Sequence, residues 1–293
     1  MTIDAAQTAH DLINAPMGCA FMLVARRHDL PPADLAKPAI SFEVAAAARR
    51  ALDPWTGSQS ASIAEVLEHG PSLLNDTLRL LEQENCSWWS STVLGSQQLW
   101  LDGESTPRES ADRSDSRKAA FEMQRPFGRI STSTLIADTT HRLVLLAHRI
   151  GDWEPRYPVV QRLVMPSASG RYLELLTAEH WHQLALSTKG DGEADGDGPN
   201  IRVEPAWDEV ARAWDAVHLT FLGYLSALYR RWSSAGGVTE LRTWDCEQTL
   251  WLDETSTSVE IPLRQEPEDI GELYSLGLRV QRAWRTPLRR RRS

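Results

Sequence analysis

A change of texture at residue 86 constrains this chain more than any other feature. Before it, apolar residues recur at helical spacing between well-formed start and stop signals. Pro16 suits the first turn of a helix running through Met22 and Leu23 to Arg27, and Pro31 and Pro32 stop anything before them. Ser41 is placed to cap FEVAAAARRAL, and Ser62 and Glu65 have the spacing of a capping box on a helix that Gly70 closes. Pro71 then opens SLLNDTLRLLEQE, whose Leu73, Leu74, Leu78 and Leu81 form a stripe. Four or five helices are expected before Asn85. From Cys86 onward the runs are short and β-branched or apolar: 98–101, 130–136, 143–148, 159–165, 172–176, 243–252 and 259–263, with a polar loop over 102–118. The chain therefore reads as α+β with a mixed or antiparallel sheet: a helical region over 1–86, an α+β region over 87–265 that carries any site, and a basic tail over 266–293.

Within the second region, Trp207, Val210, Ala211 and Trp214 recur at i, i+3, i+4 and i+7. That predicts a helix over 205–215 with Trp214 as a core anchor. Thr220 caps a second helix in which Leu225, Leu228, Tyr229 and Trp232 share a face, leaving 215–220 as a connecting segment with His218 at an element boundary. Most of the twelve tryptophans fall on apolar faces. Trp88 and Trp89 are adjacent, so on a strand one faces inward and the other, taken as Trp89, is free to stack on a ligand.

A net charge of −9 argues against nucleic-acid binding through a diffuse basic surface. The exception is the tail, where Arg282, Arg285 and Arg289 to Arg292 form either a solvated terminus or a site for nucleic acid or an acidic partner. No apolar run is long enough for a membrane span, and the first residues have no secretion-signal pattern, so a cytoplasmic protein is expected. Three scattered cysteines form no CxxC pair. The acidic stretch 190–200 alternates Asp191, Glu193 and Asp195 like a calcium loop, but its twelfth position is Arg202 instead of the required Glu. His180 and His182 are two apart on an expected helix and read as surface residues. No metal is expected.

Several motifs resemble known families. Phe127-Gly-Arg-Ile-Ser131-Thr132-Ser133 resembles the aromatic–x–Ser-Thr-Ser strand of mono-ADP-ribosyltransferases. The resemblance implies that Ser131, Thr132 and Ser133 brace a cleft for NAD, with Glu247 or Glu174 as the acid that stabilises developing positive charge and His218 nearby. Taken alone, the same three residues also fit an ordinary edge strand. DAVHLTFLGY resembles the DxxH block of Ser-Gly-Asn-His esterases, which implies Asp215 orienting His218 as a base, although no GDS block is present. SWWSS, WDxVHLTxxGYL and WDxExTxWL together are similar to a family of uncharacterised bacterial proteins with a helical first half and a Trp-rich second half. From another class of function, a Trp-rich surface and the basic tail would suit a non-catalytic partner-binding protein.

Overall fold

A computed structural model describes residues 4–52, 62–95, 98–102, 131–134, 160–188, 193–194, 201–242, 244, 247–252 and 257–264. The expected strand over 143–148, all but the first residue of the loop over 102–118, most of the acidic stretch and the whole basic tail lie outside these residues.

Among the described residues the first region holds six helices: α1 Ala5–Ile13, α2 Pro16–Arg27, α3 Pro32–Leu35, α4 Pro38–Leu52, α5 Ile63–Glu68 and α6 Gly70–Leu81. The start signals act locally. Asp4 caps α1 by accepting from the backbone N–H groups of Ala6 and Gln7, and α2 has Pro16 in its first turn, where a missing N–H costs nothing. Ser62 and Glu65 form the reciprocal capping box, with Glu65 N–H donating to Ser62 Oγ at 3.2 Å and Ser62 N–H to Glu65 Oε2 at 2.9 Å. Ser41 is not a cap: α4 starts three residues earlier at Pro38, and the buried Ser41 hydroxyl donates to the Leu35 carbonyl. Gly70 opens α6 instead of simply closing α5.

The tryptophan pair lies on a 3₁₀ segment, Glu84–Ser90, and not on a strand. This geometry lets both rings enter the core. Trp89 is 2 % exposed, edge-on to Phe21 and Phe221, while Trp88 donates its indole N–H to the Ala36 carbonyl at 2.9 Å and lies against Phe42 and Phe221.

The second region contains a seven-stranded mixed sheet in the order β11-β3-β1-β2-β10-β7-β4. Its strands are β1 Gln98–Asp102, β2 Ser131–Thr134, β3 Val160–Pro166, β4 Tyr172–Leu175, β7 Ala216–Leu219, β10 Gln248–Trp251 and β11 Thr257–Arg264. All pairings are antiparallel except β4 with β7, whose parallel crossover runs through α7 Ala178–Thr188 and α8 Trp207–Ala213. A smaller sheet holds β5 Glu193–Ala194, β6 Ile201–Arg202, β9 Gly237–Glu240 and β8 Arg231–Ser234. The molecule is thus α+β, as its sequence texture indicates. One apolar cluster runs from Leu12 and Phe21 of the first helices to Val217, Phe221 and Leu250 beside the sheet, so the two regions share a core.

Helix α9, Phe221–Ala227, joins them. Every one of its residues is buried, and Phe221 meets Phe21, Phe42, Trp88 and Trp89. Thr220 caps it as expected, accepting from Gly223 N–H at 2.9 Å. Gly223 has to lack a side chain: a Cβ there would sit 2.0 Å from the Leu175 carbonyl oxygen at the end of β4.

Candidate functional site: a buried histidine between two glutamates

Helix α8 ends at Ala213, and Trp214 turns into extended backbone with φ −132° and ψ 143°. The next residues do not form a loop. Ala216–Leu219 is strand β7, buried at all four positions and paired on both sides. Such a strand shows no alternation because both its faces are covered. His218 therefore sits inside the sheet at 1 % exposure, not at an exposed element boundary.

Pairing brings carboxylates to it from both neighbours. Glu174 on β4 is in direct register with His218, and Glu247 precedes β10, two residues before Thr249, the partner of His218 on that side. His218 Nδ1 lies 2.5 Å from Glu174 Oε2, and Nε2 lies 2.9 Å from Glu247 Oε1. Glu174 is held further by Val93, whose backbone N–H donates to Oε1 at 2.8 Å. The triad is graded in exposure, with side chains 20 % exposed at Glu174 and 3 % at Glu247.

A neutral imidazole has one N–H, so it satisfies one ionised carboxylate and turns a lone pair towards the other. Two ionised carboxylates require the imidazolium. Burial alone pulls the His218 pKa down, but the hydrogen bonds and charges of Glu174 and Glu247 outweigh it and raise it from 6.5 to about 9. The raised value favours the imidazolium at neutral pH, in which each ring nitrogen donates to one of the flanking carboxyl groups. Among the described residues no group of three or more His, Cys, Asp or Glu is arranged to hold a metal ion.

Asp215 does not belong to this cluster. Three residues apart on extended backbone, Asp215 and His218 point to opposite faces. Asp215 Oδ1 instead accepts from Arg171 Nη2 at 2.7 Å and Nε at 3.3 Å, and its Oδ2 from the Arg171 backbone N–H at 2.8 Å. The esterase-type pairing of Asp215 with His218 is thereby overturned. Trp89 is likewise excluded from cofactor stacking, because its side chain is 2 % exposed and enclosed in the aromatic core.

Ser131, Thr132 and Ser133 lie on β2, between β1 and β10. The alternative of an edge strand is thus excluded. Thr132 is in register with Thr249, Thr249 with His218, and His218 with Glu174, so one cross-strand row connects the Ser-Thr-Ser strand to the triad.

His182 is also no surface residue. It is 5 % exposed on α7, with Nδ1 2.8 Å from Thr239 Oγ1, while His180 Nδ1 accepts from Leu176 N–H at 3.1 Å. Every tryptophan whose side chain is described packs into or against the core: Trp89, Trp181, Trp244 and Trp251 are buried, and Trp88, Trp207, Trp214 and Trp232 half-buried. Of the candidates named from sequence, Glu174, His218 and Glu247 converge. That Glu174 and Glu247 flank His218 on both sides was not legible, since the pairing depends on strand register.

No family model matches this sequence, and neither the curated proteins nor the solved structures contain a match. None of the described helices is long and apolar enough to cross a membrane.

Proposed function

We propose that the chain is a transferase of the mono-ADP-ribosyltransferase type acting on NAD, with Glu174 as the catalytic carboxylate. The observation that carries this reading is the cross-strand row Glu174–His218–Thr249–Thr132, which runs across four strands from a pre-oriented carboxylate on β4 to the Ser131-Thr132-Ser133 strand β2. In this chemistry the bond between nicotinamide nitrogen and ribose carbon breaks, its electron pair leaves with nicotinamide, and positive charge grows on the sugar. A fixed anion lowers the energy of that charge without having to reorganise. An acceptor group then bonds to the sugar carbon and releases its proton.

Glu174 suits the role better than Glu247 because it is the triad member that solvent reaches. Its geometry is set by His218 on one oxygen and Val93 N–H on the other. His218 acts as a positioning residue: it holds Glu174 in place. Glu247 secures the far side of the ring. Ser131 and Thr132 brace the nicotinamide end.

The test is isothermal titration of the full chain with NAD together with an assay for released nicotinamide. Saturable binding and turnover are expected, with Glu174→Gln lowering turnover by about 10²-fold while binding persists. No binding and no nicotinamide release from the unaltered protein would end this reading and leave the triad a structural device.

A further inference from the structure

β4 is one edge of the seven-stranded sheet, and its outer side is an open ladder. The carbonyls of Arg171 and Leu175 accept from Asp215 N–H at 2.9 Å and Thr220 N–H at 3.2 Å, so the residues at these alternate positions point to β7. Backbone groups alternate in direction along a strand, and the N–H and C=O groups of Tyr172 and Glu174 therefore point away from β7. Among the described residues nothing pairs with them. The next outward amide, Leu176 N–H, donates to His180 Nδ1 at 3.1 Å, which marks where the open stretch ends. Tyr172 and Glu174 are only half-buried, so solvent reaches this edge.

The opposite edge of the same sheet is built differently. β11 carries Pro262, and its register with β3 shifts between Val259 and Pro262. A proline and a bulge are devices that keep an edge from pairing with another chain. β4, Tyr-Leu-Glu-Leu, has neither, and its carboxylate is turned to His218 and to Val93 N–H instead of out along the edge.

Beside the edge lies an exposed apolar side chain. Val93, whose N–H holds Glu174, begins the 3₁₀ turn Val93–Gly95, and Leu94 in that turn is 58 % exposed. No other large apolar side chain among the described residues is as exposed. A row of donors and acceptors at strand spacing is complementary to an extended backbone, and alternate side chains of an added strand then fall on one face. A second copy of this chain is the poorer occupant. A strand of four residues spans about 13 Å, so edge-to-edge contact falls short of the roughly 1,000 Å² that a stable dimer buries, and copies with a net charge of −9 repel.

We propose that the outer edge of β4 docks an extended segment of a partner protein, which pairs with Tyr172 and Glu174 and sets an apolar side chain against Leu94. The inference stands apart from the NAD reading, because it uses the backbone of Glu174 and needs no cofactor.

The experiment is amide hydrogen exchange followed by ¹⁵N NMR on the full chain without NAD. The probe is a blocked peptide of alternating valine and threonine with a lysine at each end. In the free protein the Tyr172 and Glu174 amides are expected to exchange fast, while those of Leu173 and Leu175, facing β7, are protected. Saturating peptide should slow Tyr172 and Glu174 about tenfold or more. A control peptide N-methylated throughout its centre keeps its side chains but loses its donors, and should have no effect. Leu94→Ser, at an exposed position that leaves the fold intact, should weaken peptide binding about tenfold. Tyr172 and Glu174 amides protected without peptide, whether by this chain or, at high protein concentration, by a second copy, would overturn the inference. So would no response to the peptide, an equal response to the N-methylated control, or unchanged affinity in Leu94→Ser.

Discussion

Two buried histidines, His182 and His218, show how partners override burial. His182 is 5 % exposed and His218 1 %. His182 meets a neutral hydroxyl, Thr239 Oγ1, with the Trp232 ring centroid 6.0 Å away, so burial dominates and lowers its pKa below 6.5 despite the opposing charge of Glu179. His218 meets two carboxylates, which overcome burial and raise its pKa to about 9. The same ring is thus held neutral against the small sheet and cationic within the large one. Burial sets the energy at stake, and the facing group sets the sign.

The largest expected effect comes from removing the cation. His218→Ala removes the ring that both Glu174 and Glu247 face, and breaking a buried ion cluster in this way costs about 3–5 kcal/mol. His182→Ala loses one hydrogen bond to a hydroxyl and some packing, so about 1–3 kcal/mol is expected. Chemical denaturation of both variants at pH 7 would compare them. Equal losses would show that charge adds nothing to the His218 site.

The pH dependence of stability should separate the two rings next. The folded pKa of His218 is raised, so its contribution is fully present below pH 6.5 and lost as pH rises towards 9, on the order of 3 kcal/mol. For His182 the folded pKa is lowered, so the unfolded chain takes up the proton first and stability falls as pH drops below 6.5. Denaturant midpoints from pH 5 to 10 should show both slopes. His218→Gln should flatten the alkaline one and His182→Gln the acidic one.

A smaller effect is expected at the ion pair beginning the same strand. The Arg171 side chain is 53 % exposed, so its bond to Asp215 is screened by solvent, and Arg171→Ala should cost about 1 kcal/mol or less. A loss as large as that of His218→Ala would erase the distinction between buried and exposed pairs.

The helices were legible because their signals are local. Pro16 and the Ser62–Glu65 box act within one turn of their own positions, and the structure puts helix starts there. The α8 stripe predicts a helix through Asp215 with Trp214 as its interior anchor. Instead Trp214 leaves the helix in extended backbone and, half-buried, packs against the core from outside the helix. Ala216–Leu219 was missed because four buried residues without alternation carry no period, and covered strands are specified by their neighbours. His218, Glu174 and Glu247 could each be singled out, but their contact arises from register across β4, β7 and β10, which separates them by 44 and 29 residues in sequence.

The most direct test is a ¹⁵N NMR titration of the histidine rings from pH 5 to 10, with His218→Gln and His182→Gln used for assignment. The account predicts that His218 keeps protons on both nitrogens through neutral pH and titrates near 9, while His182 remains neutral until the pH falls below 6.5. A His218 signal that is neutral at pH 7, or that titrates at or below 6.5, would contradict the carboxylate-held cation.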